Sequence, residues 1–236
     1  MDNLASLRVD LQPPLTEVAL RRLRHDVLVG TFPAGAKLKL DTLQQHYGLS
    51  SSPLREALSR LTQEGFVRSD ERRGFRVAAL SLDDIADITR MRLMVDTEAL
   101  RDAMINGIDE WEADIVAAFH RLDRIEAKLG DGPLLLNDEW TALHRNFHLA
   151  LLSACSSERL RNLSAGLFDQ AERYRQISAR ARKVARRKGN EHKRIMDAVL
   201  RRDIETACEL LREHISSTHR NVEAAFRTRD VQPTES

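Results

Sequence analysis

The chain has 236 residues, of which 42% are hydrophobic and 31% charged, a composition that excludes long disordered regions. No apolar run approaches the roughly 18 residues that a membrane span needs, and the N-terminus lacks the regions of a signal peptide. The net charge is only +1, so an argument for nucleic-acid binding depends on where the basic residues lie. The two cysteines form no CxxC motif, which fits a reducing cytoplasm.

The first 80 residues predict a small helical domain that ends in a two-stranded ribbon. Ser52 is the predicted N-cap of the third helix, because Pro53 in the first turn is well tolerated there. Segment 31–38 is predicted to be a turn, because Pro33 and Gly35 interrupt regular structure. The predicted elements are helices over 15–30, 40–47 and 52–65 and strands over 66–69 and 74–80. Two short helices joined by GLSS, followed by a ribbon, are typical of a winged helix-turn-helix.

From Ser81 to about Thr228 the apolar periodicity predicts helices alone. The predicted helices cover 82–106, 109–129, 138–154, 157–184, 189–202 and 203–227. We therefore expect a mainly α chain with a winged helix-turn-helix over 1–78 and an all-α bundle of about six helices over 79–229. The tail, 230–236, is polar and is expected to be disordered.

One cluster has the composition of a DNA-reading site. A recognition helix carries small polar or basic residues at its N-terminal end, and Arg55 lies one turn into the third helix, where it can contact a guanine edge. Alternatively, the serines only cap the helix and Arg55 pairs with Glu56 or Glu64. The candidate DNA contacts are Lys39, Ser50, Ser51, Ser52 and Arg55, with Arg72, Arg73 and Gly74 in the turn of the ribbon.

The stretch LSSSPLREALSRLTQEGFVRSDERRGFRV resembles the DNA-binding signature of the GntR superfamily. The helical remainder resembles the C-terminal (FCD) sensor domain of the FadR-type branch, so the two resemblances cover nearly the whole chain. They imply a homodimer that binds a pseudo-palindromic DNA operator through Ser50, Ser52 and Arg55. The superfamily usually carries arginine where this chain has Ser51, so that contact is missing here.

Four of the eight histidines lie on apolar faces of three predicted helices. One such histidine is usually a core residue bonded to a backbone carbonyl, but four together suit a divalent transition metal. These candidates are His144, His148, His192 and His214. FadR-type sensor domains often bind a metal through Asp-x-x-x-His and two later histidines, and residue 144 is histidine where that pattern has aspartate. An all-nitrogen set favours zinc or nickel, although the departure leaves open whether His144 is a ligand.

Arg92 falls on the apolar stripe of the helix predicted over 82–106. A buried guanidinium is costly unless it is paired, so it either pairs with a carboxylate such as Asp96 or binds an anionic ligand. Sensor domains of the resembling family commonly bind small carboxylates, with an arginine of the first helix as the clamp. Tyr174, on another apolar face, is either a core residue or an effector contact, and the neighbouring Arg175 is a further candidate.

The preferred interpretation is a cytoplasmic regulator, most readily a repressor, whose operator affinity changes when a small carboxylate binds. AERYR and HRNFHLALLSACSS further resemble carbon-starvation-type regulators, which respond to glutarate-related acids, so a dicarboxylic or hydroxy acid is the candidate effector. The alternative is a metal-dependent enzyme or metal-binding bundle with an accessory helix-turn-helix. HRNFH lacks the general-base glutamate of a zincin, and no histidine follows a Glu-x-x pattern as in di-iron bundles.

Overall fold

The structure, a computed structural model, describes residues 13–70, 74–129, 137–181 and 190–230. Its internal contacts divide the chain into two units, with the boundary between Ala79 and Leu80. We call them the winged unit and the helical unit. Within the described ranges, no helix is both long and apolar enough to cross a membrane. Of the tail predicted to be disordered, only Asp230 is described, and it ends the last helix.

Over residues 13–70 and 74–79, the winged unit forms three helices and a small antiparallel sheet. Its elements are α1 (Leu15–Leu28), β1 (Lys37–Leu38), α2 (Leu40–Tyr47), α3 (Ser51–Gln63), β2 (Val67–Asp70) and β3 (Gly74–Val77). The strand order is β1-β3-β2, so β3 is central. The sequence predicted the pair β2 and β3 but assigned β1 to a turn, because two residues are too few to show a period of two.

The core of the winged unit is apolar and lies between α1, α3 and the sheet. The periodic leucines Leu54, Leu58 and Leu61 of α3 are fully buried. They pack in one cluster with Leu23 of α1. Ion pairs support the same packing at its edge, since Arg24 of α1 holds Glu64 in a bidentate pair at 2.6–3.0 Å. The third helix is therefore held rigidly.

The described residues of the helical unit form six helices. They are α4 (Leu82–Asn106), α5 (Asp109–Leu129), α6 (Asp138–Leu152), α7 (Glu158–Ala181), α8 (Glu191–Leu200) and α9 (Ile204–Asp230). Side chains cap α4 and α6 at their N-termini, since the Ser81 hydroxyl accepts from Asp84 N–H at 3.1 Å and Asn137 Oδ1 accepts from Trp140 N–H at 2.7 Å. Ser157 and Asp203 cap α7 and α9 in the same way. The mainly α class and the six-helix bundle are confirmed.

The interior of the helical unit has an apolar and a polar part. Its largest apolar cluster includes Leu100, Ile115 and Leu122 and draws on α4, α5, α6, α8 and α9. Polar side chains are buried mainly where α4, α6 and α7 meet α8 and α9. These are Thr89, Arg92, Asp96, Thr97, His144, His148, Ser164, Glu172, Arg173, Gln176, Ser178, His192 and His214.

Candidate functional site

The N-terminal end of α3 is exposed and its serines are free of capping bonds. The helix begins at Ser51 with Ser50 in the N-cap position, and the Ser50 side chain makes no capping hydrogen bond. The prediction that Ser52 is the N-cap was therefore wrong by two residues. Because the first N–H groups of a helix lack partners within it, this end can receive a phosphate oxygen.

Arg55 is exposed and ready for an external partner. Glu56, one candidate partner in the structural alternative, accepts a hydrogen bond from Thr16 at 3.1 Å. Glu64, the other, is paired with Arg24. Within the part of the chain that the structure describes, Arg55 forms neither an ion pair nor a side-chain hydrogen bond. Arg55 therefore pairs with neither Glu56 nor Glu64, and its guanidinium is accessible to DNA.

The remaining DNA candidates lie around the sheet and α2. Lys39 is exposed and is the N-cap residue of α2. Gly74 begins β3 with φ +84°, a left-handed conformation that favours glycine, and it pairs with Asp70 in register. The predicted contacts Arg72 and Arg73 lie outside the described residues.

In the helical unit, the four predicted histidines converge. His144 and His148 come from α6, His192 from α8 and His214 from α9, and all are buried. Their ligand nitrogens lie within 4.8 Å of one another. Nε2 of His144 and Nε2 of His148 are 3.2 Å apart. A tetrahedral zinc ion with Zn–N distances of about 2.0–2.1 Å places its ligands roughly 3.4 Å apart, a spacing that the His144–His148 pair matches and that the wider set approaches within 4.8 Å.

Burial keeps the imidazoles of α6 in the neutral form that binds metals. Burial lowers the pKa of His144 well below its ordinary value, and the Arg175 guanidinium adds to this shift. Burial also lowers the pKa of His148, with further contributions from His214 and His192. Protonated imidazoles cannot ligate, so these shifts leave both side chains available as ligands at neutral pH.

Two glutamates lie near the Nδ1 atoms of two of the histidines. His214 Nδ1 lies 2.8 Å from Glu191 Oε2, which leaves Nε2 for the centre of the cluster. Glu126 Oε1 lies 3.8 Å from His192 Nδ1 and accepts from Trp140 Nε1–H at 3.2 Å. Such carboxylates orient metal-binding imidazoles and offset part of a divalent charge.

Two arginines lie close to the histidine cluster and contact the same aromatic ring. The Arg175 Nη1 atom is 2.8 Å from His144 Nδ1, and Arg175 also pairs with the buried Glu172. Its guanidinium lies 5.3 Å from the centroid of the Phe168 ring. The Arg92 guanidinium lies 5.1 Å from the same centroid. Phe168 therefore contacts both cations.

Arg92 forms the ion pair that the structural alternative predicted. Its Nε donates to Asp96 Oδ2 at 2.9 Å, and the Ser164 hydroxyl donates to the other oxygen of Asp96 at 2.5 Å. A small cavity of about 10 Å³ lies beside Arg92, Asp96, His148, Ser164 and Phe168. This is space for one water molecule and not for a carboxylic acid.

Tyr174 lies on another face of α7 from Arg175. Its hydroxyl donates to Asp84 Oδ2 at 2.5 Å and accepts from Ser81 N–H at 3.2 Å. It packs in an apolar cluster with Ile85 and Ile88. These contacts tie α7 to the beginning of α4. Its predicted role as an effector contact stays a prediction.

Sequence reasoning missed three residues of this site: Phe168, Glu126 and Glu191. Glu126 and Phe168 contact the cluster from α5 and α7, so no local spacing could have identified them. Glu191 directly precedes His192 on α8, but it contacts His214 of α9, which spacing also could not predict. The only available signal was indirect, since Phe168 shares the apolar stripe of α7 with Leu167 and Ala171.

Comparisons with known proteins agree with this architecture. Residues 15–77 match the bacterial regulatory proteins of the gntR family, and residues 87–217 match the FCD domain. The HTH-type transcriptional regulator BphR of Paraburkholderia xenovorans (strain LB400) is 39% identical over 86% of this chain and 83% of its own length. The HTH-type transcriptional repressor GlaR of Escherichia coli (strain K12) is 37% identical over 83% of this chain and 90% of its own length.

Solved structures share the fold. Escherichia coli McbR/YncC has a TM-score of 0.70 at 18% identity, covering 92% of this chain and 99% of that one. A GntR regulator from Rhodococcus sp. RHA1 has a TM-score of 0.67 at 22% identity, covering 89% and 98%. The family consists of transcriptional regulators and not enzymes, which excludes the enzymatic alternative. The chain belongs to the GntR family of bacterial regulatory proteins, as a DNA-binding transcriptional regulator with an FCD domain.

Proposed function

We propose that this regulator is a cytoplasmic, homodimeric repressor whose helical unit holds one divalent transition metal and binds a small carboxylate effector. The observation that carries the proposal is the convergence of four buried histidines whose ligand nitrogens lie within 4.8 Å of one another. Zinc or nickel suits an all-nitrogen set better than manganese does. The relative GlaR is named a repressor, which supports the same sign of regulation here.

In the winged unit, the proposed DNA contacts are the exposed N-terminal end of α3 with Ser50, Ser51, Ser52 and Arg55, together with Lys39 at α2. Arg55 reads a base edge, while the serines and Lys39 bind phosphates. A pseudo-palindromic operator then matches the two-fold symmetry of a homodimer. Arg55→Ala is expected to weaken binding to the specific site by about 1–3 kcal/mol and to relax base preference there.

The effector is proposed to bind between the metal and the two arginines. Arg175 lies against a metal-binding ring and Arg92 lies beside His148, so a carboxylate placed there meets the metal and at least one guanidinium. A dicarboxylic acid, such as a glutarate-related compound, can engage both arginines. The cavity beside Arg92 and Phe168 has only about 10 Å³, so the side chains that line it must rearrange when the acid binds.

The metal is tested by elemental analysis of the purified full-length protein. We expect about one transition metal ion per chain, and a lower melting temperature after chelation because the ion binds only the folded state. The double variant His192→Ala, His214→Ala is expected to lose the metal. The matched control is His120→Ala, an exposed histidine of α5. Full metal content in the double variant would refute the metal centre.

The effector is tested by thermal shift of the metal-loaded protein with a series of dicarboxylic and hydroxy acids. An acid that raises the melting temperature of the wild type is expected to have little effect on Arg175→Ala or Arg92→Ala. Arg92→Lys should recover only part of the shift, because an ammonium lacks the bidentate fork. A full shift in both alanine variants would place the effector elsewhere.

A further inference from the structure

Three cations lie side by side on the sheet of the winged unit. Arg76 of β3 is paired in register with Lys37 of β1 and with Arg68 of β2. Residues directly opposite one another in an antiparallel sheet project from the same face. All three are exposed, whereas the adjacent positions Leu38 and Val77 are buried. Lys37, Arg76 and Arg68 therefore form a continuous row on the solvent face, which we call the basic row.

The basic row does not stabilise the sheet. Like charges directly opposite each other on neighbouring strands are destabilising. Across the described ranges, no carboxylate forms an ion pair with any of the three side chains. The hydrogen bond that the row makes runs from Arg76 Nη1 to the backbone oxygen of Gly35, at 3.3 Å. Like charges in one row, with no ion-pair partner among the residues that the structure describes, indicate an anion from outside the chain.

The shape of the row selects the kind of anion. Neighbouring strands are about 4.8 Å apart, so the row is roughly 10 Å long and one side chain wide. A single small anion would meet only part of it. A DNA strand carries one phosphate per roughly 3.4 Å of helix rise, so its backbone can satisfy several members of the row at once.

The row is also continuous with an element that approaches DNA. Lys39 lies two residues after Lys37, has an extended backbone and is exposed. It precedes α2, the first helix of the helix-turn-helix, and in this motif the first helix crosses the DNA backbone. The row thus extends the path of the phosphates from α2 across the sheet.

We propose that the basic row is a second DNA-binding surface, which holds the phosphate backbone beside the segment read by α3. It contacts no base edges, so it strengthens binding to every sequence and increases the dependence of binding on salt. It does not depend on the metal or on the effector.

The test uses the full-length protein and a labelled duplex of random sequence, with affinity measured by fluorescence anisotropy between 50 and 250 mM salt, a range of roughly the width that reveals counterion release. For the double variant Arg68→Gln, Arg76→Gln we expect the slope of log K against log salt to become shallower by about 1.8, which is about 0.9 per lost phosphate contact. Adding Lys37→Gln should reduce it further. The matched control is Arg21→Gln, Arg22→Gln, which removes two exposed arginines of α1.

A charge-preserving variant distinguishes a loss of DNA contacts from a change in the folded structure. Arg68→Lys, Arg76→Lys should keep most of the wild-type slope, because ammonium groups also release counterions. A slope for Arg68→Gln, Arg76→Gln equal to that of the control pair would overturn the proposal. An unchanged slope accompanied by a change in oligomeric state would also overturn it, because the row would then contact an acidic protein surface.

Discussion

In the winged unit, the buried side chains among the described residues are apolar apart from the hydroxyl of Tyr47, whereas the helical unit buries thirteen polar or charged side chains. The winged unit carries its polar chemistry outside, at the end of α3 and on the basic row. The helical unit carries it inside, in pairs such as Arg92 with Asp96. A buried polar group is costly unless it has a partner, so the helical unit must satisfy these groups internally, whereas the winged unit leaves its polar groups to solvent.

The largest effect should come from breaking one of these internal pairs. Asp96→Ala leaves Arg92 buried without its carboxylate and is expected to destabilise the helical unit by about 3–5 kcal/mol. Urea unfolding followed by tryptophan fluorescence measures this unit selectively, since Trp111 and Trp140 are the only tryptophans of the chain and both lie in it.

Removing both partners should restore most of the loss. The double variant Arg92→Met, Asp96→Leu replaces the pair by apolar side chains of similar size, which is often neutral or stabilising. A comparable core deletion in the winged unit, Leu58→Ala, should cost about 2–5 kcal/mol in that unit without changing the tryptophan transition. If the double variant is as unstable as Asp96→Ala, the interior polar pair contributes through more than its charges.

A smaller effect is expected in the apolar part of the helical unit. A Cβ added at Gly107 would lie 2.1 Å from Cε3 of Trp111, so Gly107→Ala should destabilise by about 1–3 kcal/mol through overpacking. Metal content should not change, because Gly107 lies away from the histidines. The urea transition and elemental analysis together check both statements.

Gly166 provides the matched control for this substitution. It lies within α7, and an added Cβ would meet nothing within 4 Å. Gly166→Ala should therefore stabilise the helical unit by about 0.5–1 kcal/mol, since alanine loses less backbone freedom in a helix. Effects of the same sign at both glycines would contradict the packing argument.

The predictable parts of the molecule are those that local spacing determines. The bounds of α4 and α5 match the predicted helices because caps and glycine breaks mark their ends. A period of 3.6 residues placed His144 and His214 on the apolar faces of their helices, while their convergence depends on how these helices pack. The start of α3 was misplaced because three consecutive serines offer three possible caps, and spacing does not choose among them.

Contacts between helices were not predictable in the same way. Glu191 orients His214 across 23 positions of sequence, and Phe168 contacts Arg92 from a different helix. The alignment of Lys37 with Arg76 depends on a two-residue strand that the sequence did not indicate. The contacts of Phe168 with the two arginines and the alignment of the basic row are therefore known from packing and register.

Two tyrosines offer the most closely matched test of the two units, and the smallest expected effect. Tyr47 donates its hydroxyl proton to Asp26 in the winged unit, and Tyr174 donates to Asp84 in the helical unit. Each tyrosine is buried while each hydroxyl reaches a carboxylate. Tyr174→Phe is expected to destabilise its unit by about 1–2 kcal/mol, and Tyr47→Phe by less, because only the Tyr174 hydroxyl also accepts from the backbone of Ser81.

The pH dependence of unfolding tests independently whether each tyrosine hydroxyl stabilises the folded state. Burial, followed by the hydrogen bond to the carboxylate, raises the pKa of Tyr47 and of Tyr174 above the ordinary value of about 10. The unfolded phenols ionise first, so the stability that each hydroxyl contributes is present below about pH 10 and is lost as the pH rises above it. The difference between wild type and Tyr174→Phe in urea unfolding should therefore shrink between roughly pH 8 and pH 11. A difference that stays constant over this range would mean that the Tyr174 hydroxyl is not coupled to folding, and that α7 is held to the start of α4 by apolar packing alone.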